Sequence, residues 1–520
     1  PPGWPEPTPT PPRIAWVARR MVLEGHPKTG HTAVWFQEVN GTPQVFVNGA
    51  EVSMAAHPSG GWLAPVDWDR SSPGTVDICV RLSGSGGLGF PKPVVLLGYE
   101  TLPEPPSEAA LALKAMADSV QTEVEALRGW KFTAPVHKDV MSEAQLREIL
   151  EGQLFEVEYP GESLAHLEAF LRMVGLVPAD TDLRQTILDV LMNQIGGFYL
   201  PPAKTFYMIQ RETMDYGPLN RVLVAHELTH ALDDQYVDLD SFTHPEERTE
   251  DLEFALGSVV EGSATALMSQ YLAGMMLSGE LSMDQLMEIA QKEAERGQVM
   301  FEAPPYFRTL LARYNIGMHF MVQGDMGSVA SAAAGPKVGE NLKAAVADPP
   351  QSSEQILHLE KYWDPEKREL PVRLAEAPTV ALLEAQGFTV VARNTAGEIG
   401  MACVTTPLDE PFNPMAANLP SAWTNTAATG WGGDRFFLLS GGDGESYRGL
   451  WATAWDTPAD REEFVTAYEA LVTREGRRVV RQGERVAVFL FGMTPAEADR
   501  VERALSKTPL IWTQNDAAWQ

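Results

Sequence analysis

The stretch Arg221-Val-Leu-Val-Ala-His-Glu-Leu-Thr-His230 decides the fold of this chain. From Val222 to Leu232 the residues are almost wholly apolar, and a helix with no broad polar face is a core helix. Because a helix turns once in about 3.6 residues, His226 and His230 lie on one face with their imidazoles converging. Core helices rarely hold ionisable groups without partners. The stretch therefore predicts a buried helix around which a site is built.

The spacing of the two histidines suits a tetrahedral zinc ion. Glu227 lies one step round the helix, where its carboxylate can take a proton from a water molecule without displacing it. The pattern is His-Glu-x-x-His, the zinc protease signature. With 10 histidines among 520 residues, a chance match has a probability on the order of 0.01 to 0.02. The alternative is a structural pair of hydrogen-bonded core histidines.

A third protein ligand is expected downstream, and Glu261 is the best candidate. It lies in Ser258-Val-Val-Glu-Gly-Ser-Ala-Thr-Ala266, within an apolar helix predicted from about Asp251 to Ala273. Small neighbours let this helix approach the metal helix closely enough for a short carboxylate to reach the ion. The alternative, an ordinary surface glutamate, fits poorly with its apolar neighbours. Two His and one Glu form the ligand set of an open catalytic zinc site.

These residues carry a resemblance. His226-Glu-Leu-Thr-His230 followed by a helix with Glu261 resembles the gluzincin class of zinc metallopeptidases, which includes thermolysin. The longer run His226-Glu-Leu-Thr-His-Ala-Leu-Asp-Asp-Gln235 also looks like a group of secreted bacterial and archaeal proteins. Similar features occur in Gly196-Gly-Phe-Tyr199, in Pro350-Gln-Ser-Ser-Glu-Gln-Ile-Leu-His358 and in Gly430-Trp-Gly-Gly-Asp-Arg435. The class motif covers few residues, and the wider similarity spans roughly residues 190 to 500.

The resemblance implies a zincin-like catalytic domain, one Zn²⁺ per chain held by His226, His230 and Glu261, and hydrolysis of a protein or peptide substrate. One departure matters. In thermolysin-like enzymes the third-ligand helix follows more closely and carries an Asp one turn after the Glu, where this chain has Thr265. The residue that would support the metal ligands is therefore not assigned by the resemblance.

Composition limits the partners and the compartment. The net charge of -30 argues against nucleic acid and anionic membrane, because a polyanion would be repelled. The sequence has no run of roughly 18 apolar residues, so it predicts no membrane span. Two cysteines, Cys79 and Cys403, are too few for a disulfide framework and are expected to be free thiols. The Pro/Thr-rich residues 1–12 predict a stiff linker and favour a secreted or cell-surface protein, extracellular or periplasmic.

The chain is long enough for several domains, and the patterns predict a multidomain α+β fold. Short alternating β-rich runs between turn signals predict a β-sandwich, Ig-like, over residues 13–105. Residues 106–385 are predicted to be mainly helical and to form the zincin-like domain. Residues 386–520 mix strands with two helices and predict an α+β domain with helices on one face of its sheet. The three units are expected to be separable.

Three features near the metal helix bear on its chemistry. The stretch from Phe198 to Ile209 predicts a β-hairpin, which either holds the substrate backbone by strand addition or is purely structural. Peptide hydrolysis also needs a donor aimed at the developing oxyanion. Tyr314 and His358 are the candidates for that role, and each could instead be a satisfied core residue. The catalytic residues predicted from the sequence are thus Glu227, Tyr314 and His358.

The acidic stretch from Asp233 to Asp251 allows three interpretations. It could hold Ca²⁺, although it has no EF-hand spacing, and a solvated loop between helices explains it equally well. Asp233 and Asp234 could instead orient a ligand histidine.

Two functions remain open from the sequence. The first is a secreted zinc metallopeptidase that uses Glu227 as general base. The second is a surface binding or scaffold protein whose metallopeptidase-like core is structural or inactive. Glu227 favours the first, because a metal site kept only for stability has no use for a carboxylate beside it. The residues do not indicate the cleavage preference or the oligomeric state.

Overall fold

The computed structural model describes residues 14–22, 31–36, 39, 42–47, 50–56, 62–66, 75–83, 94–99, 108–155, 159–201, 204–210, 218–245, 247–288, 291, 300, 303–331, 334–440, 446–471, 477–514 and 517–519. They form a mixed α+β fold with several sheets. The chain divides into two compact units. The first comprises Pro1–Met116, Pro135–Val140 and Tyr199–Gln210, and the second comprises Ala117–Ala134, Met141–Phe198 and Arg211–Gln520.

The first unit contains two four-stranded antiparallel sheets. The strands are β1 Ile14–Val22, β2 His31–Phe36, β3 Thr42–Val47, β4 Ala50–Val52, β5 Ala55–Ala56, β6 Trp62–Val66, β7 Thr75–Ser83 and β8 Val94–Tyr99. Their orders are β1-β7-β3-β4 and β5-β6-β2-β8. Alternate residues such as Ile78, Val80 and Leu82 are buried in one core that both sheets share, as period-2 alternation requires. This is the predicted sandwich arrangement; the Ig-like assignment remains a prediction.

A third sheet contains the predicted hairpin. Its strands are β9 His137–Ser142, β10 Gly197–Leu200 and β11 Thr205–Gln210, in the order β10-β11-β9. Phe206 and Tyr207 of β11 are buried. The hairpin is therefore confirmed, whereas its role in holding a substrate backbone remains a prediction.

Helices occur at both positions predicted beside the metal motif, and others surround them. They are α1 Glu108–Arg128, α2 Glu143–Ile149, α3 Ser163–Val174, α4 Leu183–Gln194, α5 Pro218–Asp233, α6 Leu239–Thr243, α7 Glu250–Ser278, α8 Pro305–Met321, α9 Met326–Ala330, α10 Gly335–Ala347, α11 Ser353–Leu357, α12 Glu360–Trp363, α13 Glu376–Ala385, α14 Gly397–Val404, α15 Pro458–Leu471 and α16 Pro495–Lys507. Local chemistry sets their ends. The Thr249 side chain accepts a hydrogen bond from Leu252 N at the start of α7, and Gly279, with a φ of 78°, ends it.

The C-terminal sheet is covered by helices on both faces, not on one face as predicted. Its strands are β13 Thr389–Asn394, β14 Trp431–Ser440, β15 Tyr447–Trp455, β16 Arg478–Gln482 and β17 Val486–Phe491, in the antiparallel order β13-β14-β15-β17-β16. Trp451 and Phe489 face a core with α3, α14 and α15, whereas Leu450 and Val488 face a core with α13 and α16. Continuous apolar runs in β14, β15 and β17 already signal burial on both faces.

The remaining strands are β12 Arg373–Leu374, β18 Trp512–Gln514 and β19 Ala517–Trp519, which form a small sheet in the order β12-β18-β19. The predicted boundary near residue 385 falls within the second unit. On its two sides, Leu383 and Phe388 are buried in the same core. Whether the parts can be separated remains a prediction.

The turn between β13 and α14 fixes the start of α7. Glu250 N donates to Asn394 Oδ1 over 2.9 Å, and Asp251 N donates to Thr395 O over 3.1 Å. On the other side of this turn, the buried Asp434 carboxylate accepts from the backbone N–H groups of Ala396 and Gly397, both at 3.0 Å. Asp434 belongs to the Gly-rich stretch after Gly430, which therefore has a structural role here.

The structure bears on the predictions about the cysteines and about membrane spans. Cys79 and Cys403 are both free thiols, as predicted. Among the described helices, none is both long and apolar enough to cross a bilayer.

Candidate metal centre

Helix α5 brings the two motif histidines together in the protein interior. Val224, Leu228 and Leu232 are almost fully buried and hold the helix in the core. His226 and His230 are 4% and 8% exposed. Their Nε2 atoms are 3.1 Å apart. The helical spacing read from the sequence therefore produces the converging pair of ring nitrogens.

Glu261 of α7 completes the group. Its Oε2 atom lies 3.1 Å from His226 Nε2 and 3.4 Å from His230 Nε2. A tetrahedral zinc ion that holds its ligands at about 2.0–2.2 Å places the ligand atoms roughly 3.3 to 3.6 Å apart. The observed spacings are within a few tenths of an ångström of these values. The structure thus brings together the three predicted ligands in an arrangement that fits one zinc ion.

Electrostatics keeps Glu261 ionised. Burial by itself would raise the pKa of this carboxyl, but the charge of His230 and the hydrogen bonds with both histidines outweigh burial. The pKa of Glu261 therefore lies well below its usual range. Glu261 is available as a carboxylate ligand at neutral pH.

Tyr314 of α8 lies against this group. Its ring stacks on the His226 imidazole with centroids 5.7 Å apart, and its hydroxyl lies near the Glu261 carboxylate. The negative charge of Glu261, then burial, and then the charge of Glu227 hold the pKa of Tyr314 well above its usual value. Tyr314 therefore keeps its proton and can act as a donor. Glu227 itself is 7% exposed.

A glycine contact between α7 and α8 makes this approach possible. A Cβ atom added to Gly262 would lie 2.1 Å from the backbone carbonyl carbon of Gly317, and one added to Gly317 would lie 2.2 Å from Ser258 O. The two helix backbones therefore touch one turn from Tyr314. The sequence predicted that these small residues serve the approach to the metal helix α5. Gly262 and Ser258 serve the approach to α8 instead.

Asp233 contacts an arginine and a serine, and no described hydrogen bond joins it to a ligand histidine. Arg128 Nη2 donates to Asp233 Oδ2 over 2.6 Å and to Ser263 Oγ over 2.7 Å. Ser263 Oγ in turn donates to Asp233 Oδ2 over 2.7 Å. Burial raises the pKa of Asp233, and the charge of Arg128 opposes that rise. The cluster links α1, α5 and α7 beside the metal ligands.

The residues that follow Asp233 hold a neighbouring segment in place. Asp234 Oδ1 accepts from Leu239 N over 3.3 Å. Gln235 Oε1 accepts from the backbone N–H groups of Thr133 and Ala134 over 2.7 and 3.0 Å. The Tyr236 ring stacks on Trp130 with centroids 4.4 Å apart. The partners of Gln235 and Tyr236 lie about 100 residues upstream, so the sequence pattern could not identify them.

The ring nitrogens of His226 differ in their surroundings. Its Nδ1 atom is buried without a hydrogen-bond partner among the residues that the structure describes. Metal-binding histidines commonly donate this second N–H to a carboxylate or carbonyl. Thr265, at the position where the resemblance expects an Asp, is buried in α7. The described contacts therefore do not identify a residue that supports the His226 ring, just as the resemblance does not.

His358 contacts Glu398 and not the metal-ligand group. Its Nε2 atom lies 3.0 and 2.9 Å from the two carboxylate oxygens of Glu398, which is fully buried. The hydrogen bond to Glu398 raises the pKa of His358 although burial opposes this. In the described part of the chain, no recorded contact joins His358 to the metal-ligand group. The structure therefore does not bring His358 together with Tyr314.

The acidic stretch from Asp233 to Asp251 shows no calcium-type cluster in its described residues. The candidate metal groups found there and elsewhere in the described chain are His226 with His230 and Glu261, and Glu354 with Glu369 and Asp456. Glu246 lies outside the described residues. In the second group, Lys361 Nζ lies 2.6, 2.8 and 3.7 Å from Glu354, Glu369 and Asp456. A lysine ammonium thus already compensates those carboxylates.

A cavity of about 140 Å³ lies near the start of α7, and none of the three ligand residues lines it. Asp251 and Asp434 contribute to its wall. Arg435, also in the wall, forms ion pairs with Glu247 and Glu376. The cavity therefore belongs to the junction between α7 and the C-terminal sheet.

Comparison with known proteins identifies one matching family. A family described as a domain of unknown function, DUF8575, matches residues 372–510. No curated protein matches the chain. No solved structure matches it either. The matched range contains the C-terminal sheet and excludes His226, Glu227, His230 and Glu261.

Proposed function

We propose that this chain is a secreted or cell-surface zinc metallopeptidase of the gluzincin type, with a zincin-like catalytic domain in residues 106–385. The observation that carries the proposal is the convergence of His226 Nε2, His230 Nε2 and Glu261 Oε2 within 3.4 Å of one another. Two imidazoles and one carboxylate leave the fourth tetrahedral position to water or substrate. The buried setting of the histidines supports a specific site.

Zinc held by these residues would supply Lewis acidity, lowering the pKa of bound water from 15.7 towards about 7 and polarising a carbonyl. Glu227 accepts the proton of the attacking water and passes it to the departing amine. Tyr314 keeps its phenolic proton and donates a hydrogen bond to the developing oxyanion. His358 is given no role in this mechanism because no described contact joins it to the metal-ligand group; its imidazole pairs with Glu398.

The first prediction concerns Glu227. Glu227→Gln keeps the size of the side chain but cannot accept a proton, so casein hydrolysis should fall by at least about 10²-fold. Zinc content should stay at one per chain, and the melting temperature should stay within about a few degrees of that of the wild type. Activity, metal content and thermal unfolding are measured on the same preparations.

Matched variants complete this experiment. Glu280→Gln makes the same chemical change at an exposed position and should keep wild-type activity. His226→Ala should lose most of the zinc. Wild-type protein with full zinc and no hydrolysis of any unfolded or peptide substrate would contradict the proposal and favour a scaffold.

A further inference from the structure

Arg313 lies directly over helix α7 beside the candidate metal centre. Its Cδ, Nη1 and Nε atoms are 3.1, 3.4 and 3.5 Å from the point where a side chain at position 257 would place its Cβ. Gly257 has no side chain, so the arginine occupies that space. The position next to Arg313 on α8 is Tyr314, which stacks on the metal-ligand candidate His226.

Among the described residues, the guanidinium of Arg313 forms no hydrogen bond and no close ion pair, and its Nε atom is buried without a hydrogen-bond partner. Glu250 acts on Arg313 through its charge, but Glu250 and Glu253 form their hydrogen bonds with other residues. Glu250 Oε2 accepts from Tyr306 over 2.5 Å, and Glu253 Oε1 accepts from Arg248 over 2.8 Å. A guanidinium carries five N–H donors in a planar fork, and here none of them has a described acceptor. Unused donors of this kind beside a reaction centre point to a ligand that accepts from them.

The distance between Arg313 and the metal centre limits which part of a bound peptide Arg313 can contact. Gly257 precedes Glu261 by one helical turn, which is about 6 Å along the axis. An extended peptide advances about 3.3 Å per residue. A group bound by Arg313 therefore lies about two residues from a bond held at the metal centre.

We propose that Arg313 binds a carboxylate of the substrate and so selects peptides that carry one about two residues from the scissile bond. This inference rests on the proposed peptidase function. The planar guanidinium matches a carboxylate with two parallel hydrogen bonds. A net charge of -30 repels anionic peptides in general, so a local cation is what such a substrate needs. A C-terminal carboxylate and an Asp or Glu side chain offer the same chemistry.

Matched peptides test the inference. One pair of N-blocked Ala/Gly peptides differs only in a free or an amidated C-terminus. A second, amidated pair differs only in Glu or Gln at one internal position. The wild type should cleave the anionic member of at least one pair with a kcat/KM at least about tenfold higher, and the pair that responds identifies the source of the carboxylate. Arg313→Met should abolish this ratio, and Arg313→Lys should restore part of it.

Arg248→Met is the matched control, because it removes the same charge from the same neighbourhood while its guanidinium is already paired with Glu253. It should keep the wild-type ratio. Should Arg313→Met fold poorly, Arg313→Gln replaces it. Binding is measured in parallel by calorimetry on metal-free protein, where Arg313→Met should weaken the anionic peptide about tenfold or more relative to its neutral partner.

The outcomes separate this inference from the proposed function. Cleavage of all peptides with no preference for a carboxylate, unchanged in Arg313→Met, would overturn the role of Arg313 and leave the peptidase intact. No cleavage of any peptide would count against the peptidase. In that case, equal binding of anionic and neutral peptides to metal-free wild-type protein would overturn the role of Arg313 as well.

Discussion

Arg128 and Asp233 form an ion pair that solvent hardly reaches, since their side chains are 0% and 2% exposed. Asp233 follows His230 by one turn on α5, and Ser263 lies two positions after Glu261 on α7. The cluster of Arg128, Asp233 and Ser263 therefore ties the two ligand-bearing helices together next to their ligands. Breaking a buried pair by removing one partner leaves an uncompensated charge and costs about 3–5 kcal/mol.

At this scale we predict that Arg128→Met lowers the free energy of unfolding by about 3 kcal/mol or more. It should also weaken zinc binding, because α5 and α7 lose their link beside the site. The double variant Arg128→Met/Asp233→Asn should recover part of the stability, since no buried charge is left. Urea unfolding and competitive zinc titration provide the measurements. A double variant less stable than the single one would argue against this account.

At the scale of elements, the crossing of α7 and α8 determines what can face the metal ligands. Gly262 and Gly317 let the two backbones meet, and α8 then presents Arg313 and Tyr314 to the surface of α7. Side chains at a helix crossing normally keep the axes about 8–10 Å apart. Without the glycines, Tyr314 would be displaced from Glu261.

The corresponding prediction compares two glycines of α7. Gly262→Ala places a methyl group 2.1 Å from backbone, so it should lower stability by about 1–3 kcal/mol through overpacking and reduce peptidase activity. Gly274→Ala meets nothing within 4 Å and should raise stability by up to about 1 kcal/mol, because Ala is the better helix former. Thermal unfolding and casein hydrolysis distinguish them. Equal effects of the two substitutions would mean that the helix contact is not tight.

At the scale of the whole molecule, one face of the C-terminal sheet shares its core with α3, which lies far upstream in the chain. Phe170, Leu171 and Val174 of α3 are buried against Trp451 and Phe489. These α3 residues lie well before the family match at 372–510. A segment limited to that match would expose large aromatic residues to water. Burial of such side chains is worth about 1.5–3 kcal/mol each, so their exposure is expensive.

We therefore predict that residues 372–520 alone do not form a stable unit, whereas residues 108–520, which keep α3, do. The longer fragment should unfold cooperatively, and the shorter one should bind a hydrophobic dye and aggregate. Calorimetry and dye fluorescence on both fragments test this. Cooperative unfolding of residues 372–520 with full solubility would show that α3 is dispensable.

Local patterns in the sequence determined much of this protein. Alternation over the end of β7 placed Ile78, Val80 and Leu82 in the sandwich core, and the spacing of His226 and His230 brought their ring nitrogens to one point. Capping residues such as Thr249 and Gly279 set helix ends. All of these features depend on interactions within a few residues along the chain, so the spacing of residues in the sequence is enough to predict them.

Only the tertiary structure decided the rest. Arg128 reaches Asp233 across 105 positions, and His358 meets Glu398 across 40, so neither partnership has a local signal. The two buried faces of the C-terminal sheet depend on helices from distant parts of the chain. The position of Arg313 over Gly257 depends on how α8 crosses α7. Periodicity shows which face of an element is apolar, whereas the partner of that face is set by how the whole chain packs.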